Sequence, residues 1–285
     1  MNRRKYKKQV SYGSWFIAII VLIAIAAAGV YLVRTAMHPK EQESSAPAAL
    51  PAPAPSVAPA HSTSSPAIEH PITQAESTPA STSTAPLPAL ADSDASVLGA
   101  LSMLASGGNV RSLLAPNQII SRVVATVDAL PRHSMGSSFI LPLHTPKGSM
   151  QTSQANGMTV ISADNAKRYA PYMAVLASVD PHALVGWYRH NYPLFQQAYR
   201  ELGYPHGYFN DRLVMAIDDM LAAPDLHDPV AVNKSGPHYV LVDPQLQSLS
   251  NGQKLMVRMG PANEQQFKAK LRMIQTLLSG DRIAH

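Results

Sequence analysis

Residues 15–33, WFIAIIVLIAIAAAGVYLV, contain no charge, and MNRRKYKK at the start of the chain carries five basic side chains and no acid. As a helix these nineteen residues would span roughly 28 Å, close to the hydrocarbon thickness of a bilayer. Trp15 and Tyr31 stand near the two ends, where amphipathic rings favour the headgroup level. A helix on the surface of a water-soluble core would show a polar face, and this run has none. The pattern predicts a transmembrane helix over 15–34 behind a basic cytoplasmic tail over 1–14, with the rest of the chain across the membrane. The competing reading is a cleaved secretory signal, for which Ala26-Ala27-Ala28-Gly29 offers small residues. Val30 to Val33 continue the apolar run past that point and favour a retained anchor.

From Pro39 to about Leu90 the chain is Ala, Pro, Ser and Thr with scattered charges and no apolar periodicity. Such a composition cannot bury enough surface to offset its ordering entropy, so residues 35–91 are expected to form a disordered linker with PPII character. About fifty residues of this kind reach roughly 40 Å as a flexible coil and roughly 150 Å fully extended in PPII. The overall charge of +5 does not indicate nucleic-acid binding, because the first eight residues alone supply +5. From Asp92 onward 16 Lys and Arg face 14 Asp and Glu, so no basic footprint for a nucleic acid is expected in the folded part. The chain has no cysteine, which suits an oxidising compartment and rules out thiol chemistry.

Helical signals begin at Asp92. Asp92, Ser93 or Asp94 can cap a first helix with Val97, Leu98, Leu101 and Leu104 as its apolar stripe. A second is expected from near Pro116 to Pro131, burying Ile119, Ile120, Val123, Val124 and Val127. Short strands are predicted at 139–143, 158–161 and 238–243. Helical pattern returns from Asp164 through PYMAVLASV, and again from Pro181 to Gly203. In that last helix Leu184, Tyr188, Tyr192, Phe195, Tyr199 and Leu202 recur at three and four residues as one aromatic face, with Pro193 as a potential kink. Asn210 or Asp211 is placed to cap the next helix, and helices over about 244–258 and 261–279 are separated by Gly260-Pro261. The expected fold class is mainly α: a single N-terminal transmembrane helix, a disordered Pro/Ala/Ser linker, and a C-terminal multi-helix domain with a few short strands over 92–285.

Three stretches, IISRVVATVDALPR, NYPLFQQAYRELGYPHGYFNDRLVMAIDDMLAAP and LSNGQKLMVRMGPANEQQFKAKL, resemble the domain-of-unknown-function 3014 family across nearly all of 92–280. That resemblance implies a bacterial protein, mostly of Gram-negative organisms, with a short N-terminal membrane segment, a Pro/Ala-rich linker and this C-terminal domain. His206 departs from the pattern, since a variable residue is expected between Pro205 and Gly207. The family has no assigned catalytic residues, so the resemblance supplies none.

The segment ELGYPHGYFNDR, 201–212, lies between two helices and concentrates aromatics and ionisable groups. His182 and His190 are eight apart and do not share a helix face, so no metal site is expected, and no motif implies a cofactor. No G-x-S-x-G elbow occurs. Asp211 and Asp218, seven apart on one helix, share a face near Asp219 and Glu201, which is the arrangement a glycan-cleaving carboxylate pair would need. The plainer reading is that Asp211 caps its helix and Asp218 pairs with Arg212, Arg189 or a backbone group. Tyr188, Arg189, Tyr192, Tyr204, Tyr208, Asn210, Asp211 and Arg212 are the candidate binding residues, with Tyr204, Tyr208 and Arg212 expected at one corner facing a partner. Lys254, Arg258, Lys268, Lys270 and Arg272 suggest a basic face, either solvated or meeting acidic groups. The expectation is a single-pass protein of the bacterial inner membrane with a periplasmic, non-catalytic interaction or scaffold domain for cell-envelope assembly or maintenance, its partner an envelope protein or a glycan. The alternatives are an envelope enzyme acting on peptidoglycan or another glycan, and a ligand sensor with a pocket lined by Tyr188, Tyr192 and Arg212.

Overall fold

The computed structural model describes residues 67–72, 86–105, 109–134, 141–236 and 238–279. The basic tail, the candidate membrane helix over 15–34, most of the linker and Gly107-Gly108 lie outside them. Among the described residues no helix is long and apolar enough to cross a membrane.

A 3-10 turn at Leu90–Asp92 leads into α1 (Asp94–Leu104), α2 (Val110–Leu113) and α3 (Ile119–Ala129). Helix α3 starts later than Pro116 because Gln118 adopts a left-handed conformation, φ 54°, which costs a non-glycine residue about 1–2 kcal/mol. The Asp94 carboxylate offsets this by accepting from the Gln118 N–H at 2.6 Å and the Ile119 N–H at 2.8 Å. An acid on α1 thus satisfies the exposed amides at the start of α3, a charge-assisted cap from a neighbouring helix.

A first hairpin follows, β1 (Thr152–Ala155) and β2 (Met158–Ile161), with Thr152 opposite Ile161 and Ala155 opposite Met158. Its turn is Asn156-Gly157, both at positive φ (53° and 75°), as a two-residue hairpin turn of type I′ requires. Strand β2 has the expected limits, whereas β1 was not expected. Of the strand expected at 139–143, the described residue Leu143 makes an isolated bridge to Leu114. The second hairpin pairs β3 (Val232–Ser235) with β4 (His238–Leu241), and a bridge from Val160 to Ala231 links the two hairpins.

A 3-10 segment, Ala163–Tyr169, precedes α4 (Ala170–Ser178), then come α5 (Pro181–Glu201) and α6 (Phe209–Leu221). Asp180 caps α5 by accepting from the Ala183 N–H at 3.0 Å, and α5 runs unbroken through Pro193. Residues 244–258, expected as one helix, form two: α7 (Pro244–Ser248) and α8 (Asn251–Met259). Ser250 and Gln253 make a reciprocal capping box that starts α8 afresh. Helix α9 (Pro261–Ser279) follows Gly260.

The described residues of the C-terminal part form a mainly helical domain with a few short strands. Helix α6 packs on α3, α8 and α9, and α5 packs on α3 and α9. Phe195 from α5, Phe209 from α6 and Phe267 from α9 are essentially inaccessible, each contributing about 2 kcal/mol by removal from water. Of the aromatic face expected on α5, Leu184, Tyr188, Phe195 and Tyr199 are buried and Trp187 joins them, Tyr192 is half-buried, and Leu202 at the C-terminal cap is exposed.

Of the five residues expected on a basic face, Lys254 and Lys268 are buried, Arg258 and Lys270 are half-buried and only Arg272 is exposed. Lys268 is 3% exposed and its Nζ donates to the Ala223 carbonyl at 2.6 Å and to Asp225 at 2.7 Å, beside the buried Glu264 carboxylate at 2.9 Å. Lys254 is buried as well, and desolvation pushes its ammonium below the usual lysine range. These lysines sit on the inward sides of α8 and α9, where each element's hydrophobic stripe is wide enough to carry a long side chain into the interior.

Candidate functional site

The turn between α5 and α6, residues 202–208, is held from three sides. Gln196 of α5 clamps it: its Nε2 donates to the Gly207 carbonyl at 2.7 Å, and its Oε1 accepts from the Phe209 N–H at 2.9 Å and the Tyr192 hydroxyl at 2.7 Å. Gln196 therefore does the work expected of a local cap. The position before α6 is Tyr208, whose side chain makes no cap bond, so neither Asn210 nor Asp211 caps the helix. Gly207 is required for its size: a Cβ there would lie 2.8 Å from Tyr199 Cε1 and 3.1 Å from Tyr204 Cβ.

Behind the turn lies a charged hub. Asp128, the second-last residue of α3, is 7% exposed. Its carboxylate accepts from Arg212 Nε at 3.0 Å, from the Tyr204 hydroxyl at 3.2 Å and from Arg132. Arg212 and Arg132 also donate to the Asp128 main-chain carbonyl, so two cations complete the C-terminal end of α3 where its dipole favours them. The Tyr204 ring stacks on Tyr199 with centroids 4.5 Å apart, and Arg132 donates to its hydroxyl.

On the outer side of the same turn, a second group faces residues 67–72. The Asp211 carboxylate accepts from two successive amides, Glu69 N–H at 3.2 Å and His70 N–H at 2.7 Å. Asn210 Nδ2 donates to the His70 carbonyl at 2.8 Å, and the Tyr208 hydroxyl accepts from the Ile72 N–H at 2.7 Å. Behind Asn210, the buried Tyr188 hydroxyl donates to Oδ1 at 3.2 Å, which aims the amide nitrogen outward. The Tyr192 ring packs 5.4 Å from Tyr208. Burial pushes the Tyr188 and Tyr192 phenols well above their ordinary range, with neighbouring Tyr208 adding to the rise. Their hydroxyls are donors and orienting groups, not bases.

The eight candidate residues thus divide three ways. Tyr188, Tyr192, Tyr208, Asn210 and Asp211 form one connected group. Tyr204 and Arg212 belong to the Asp128 hub, so they do not share a corner with Tyr208. Arg189 points elsewhere, donating to the Leu277 carbonyl at 2.6 Å near the end of α9. The members of this arrangement not anticipated are Gln196, Asp128 and the 67–72 segment itself. Asp128 left one sign in the sequence, an acid within the apolar run IISRVVATVDAL with Arg132 four residues on; Gln196 left none.

The remaining carboxylates have separate partners. Asp218 is exposed and accepts from Gln275, Asp219 accepts from the Ser250 hydroxyl at 2.5 Å, and Glu201 accepts from Gln197 at 2.9 Å. Among the described residues no group of three His, Cys, Asp or Glu is arranged to hold a metal ion. An apolar cavity of ≈ 20 Å³ lies between Val123, Leu184, Tyr188, Phe209 and Ile274. It lacks Tyr192 and Arg212 from its walls and is too small for an organic ligand, whose sites measure about 300–1,000 Å³.

A protein-family model described as "Protein of unknown function (DUF3014)" matches residues 119–275, a span containing the hub, the clamp and the outer group. No match is found among curated proteins or among solved structures.

Proposed function

The chain belongs to the DUF3014 family of proteins of unknown function, and from that premise we propose that it is a single-pass protein of the bacterial inner membrane whose periplasmic helical domain is a non-catalytic interaction module of the cell envelope. The observation that carries the reading is the outer group at the α5–α6 turn. Its polar atoms are spent on the main chain of an extended segment, two amides to Asp211, a carbonyl to Asn210 and an amide to Tyr208. Such an arrangement holds a polypeptide and performs no proton transfer. The apolar run at 15–33 and the basic tail support the anchor and its orientation. A long Pro/Ala/Ser tether raises the local concentration of a binding domain near its partners without fixing its pose.

Two experiments test this. A periplasmic reporter fused after His285 is active, and activity from a cytoplasmic reporter alone would overturn the orientation. A photo-crosslinking residue at His206, exposed at the tip of the turn, captures a discrete envelope protein in living cells. Crosslinks distributed like those from a position on the far side of the domain would overturn the interaction role.

A further inference from the structure

The segment Glu69–Ile72 sits on the outer group in a particular way. It contributes four main-chain hydrogen bonds and little side-chain burial: Ile68, Glu69 and Pro71 are exposed, and His70 and Ile72 are half-buried. Ile72 alone of these packs against the apolar core. We propose that the Tyr208–Asn210–Asp211 surface is a peptide-binding site that reads main chain, that its ligand is an extended Xaa-Xaa-Pro-aliphatic segment, and that Glu-His-Pro-Ile of this chain is its resident, exchangeable occupant. The inference rests on the interaction-module reading above and names the chemistry of its partner, a protein segment of the same pattern.

The ligand class follows from which atoms are used. The first two positions must each supply an N–H to Asp211, so neither can be proline. The second must also offer its carbonyl to Asn210. No N–H is taken from the third position, where proline is therefore accepted. Proline there also biases the residue before it toward the extended region, which lowers the ordering cost of the bound form. The fourth position must supply an N–H to Tyr208 and an apolar side chain to the core edge. Side chains at the first position point to solvent and are free to vary.

Built-in occupancy sets the exchange. A segment joined to its site by a short stretch acts at an effective concentration on the order of millimolar, so a partner's segment binds the wild-type chain only in competition with it. For an intrinsic affinity on the order of 0.1 mM, that competition weakens apparent binding about tenfold.

The test uses the full-length chain in detergent and a fluorescein-labelled AIEHPI peptide, read by anisotropy. The chain with Glu69–Ile72 replaced by Gly-Ser-Gly-Ser binds the peptide about tenfold more tightly than wild type does. Adding Asp211→Ala to that replacement, or methylating the His70 nitrogen of the peptide, abolishes binding. The methylated peptide leaves the protein untouched, so a folding defect cannot produce its loss. Equal binding to the replaced and wild-type chains, no binding to either, or full binding of the methylated peptide would each overturn the proposal. A crosslinked partner found from His206 despite such a failure would keep the interaction role and remove only this site.

Discussion

Asp128→Ala tests the hub that fixes the α5–α6 turn. The Asp128 and Arg212 side chains are 10% and 17% exposed, and they meet at 3.0 Å. Removing one member of a buried ion pair costs about 3–5 kcal/mol when the other is left without a partner. Arg212 retains the main-chain carbonyl of residue 128, which lowers the expected loss to about 2–3 kcal/mol. Tyr204 loses its acceptor at the same time. For a domain of this size, that corresponds to a fall in Tm of about 5–10 °C. Arg132, 45% exposed in the same cluster, should cost less than about 1 kcal/mol as Arg132→Ala. Urea titration of the full-length chain, followed by circular dichroism, measures both. The double variant Asp128→Ala/Arg212→Met removes both buried charges and should recover about 1–2 kcal/mol relative to the sum of the single changes. The reasoning is refuted if Asp128→Ala lies within about 0.5 kcal/mol of wild type, or if the Arg132 change costs as much as the Asp128 change.

Gly207→Ala should destabilise by about 1–3 kcal/mol, because the added methyl meets Tyr199 Cε1 at 2.8 Å in a packed turn; a neutral result in the same titration would contradict the close approach. Burial raises the Asp219 carboxyl against the opposing Ser250 hydrogen bond, so the folded chain holds that proton more tightly than the unfolded chain. Its contribution to stability is then lost as pH rises from the ordinary carboxylate value, about 3.9, through the raised folded value. Asp219→Asn removes that loss, and its stability relative to wild type should climb over the same interval in pH-dependent urea titrations. In a spectrophotometric alkaline titration Tyr172, pushed up to about 12 by burial, ionises late. Tyr169, Tyr188 and Tyr192, raised further by burial, should ionise only as the domain unfolds.

Much of the helical layout was legible because amphipathic period and capping chemistry act locally. Asp180-Pro181 starts α5, Gly260-Pro261 separates α8 from α9, and the five residues that spacing selects on α3 are buried, although Thr126, Asp128 and Ala129 are buried beside them. Two further local signals shape the fold: Ser250-x-x-Gln253, which divides 244–258, and Asn156-Gly157, which turns β1 into β2. What the sequence could not show was long-range satisfaction of polar groups. Asp94 caps a helix 24 residues away, and Asp211, a plausible cap by position, turns outward to amides 141 and 142 residues distant. Aromatic density at 201–212 marks a tightly bonded turn but does not reveal how its residues group. Tyr204 and Tyr208 flank the same turn, but one faces the Asp128 hub and the other faces residues 67–72. Lys254 of α8 and Lys268 of α9 misled for a related reason, since charge in a sequence reads as surface unless the buried partner, here Glu264 for Lys268, is known.

The most direct measurement is amide hydrogen exchange at Glu69, His70 and Ile72 in the full-length chain, with and without Asp211→Ala. The Glu69 and His70 amides should exchange more slowly than their intrinsic rates in wild type and return to those rates in the variant, while α6 amides beyond its first turn keep their protection. Intrinsic exchange at Glu69 and His70 in the wild-type chain, or protection that survives loss of the Asp211 carboxylate, would contradict the claim that this corner holds a polypeptide by its main chain.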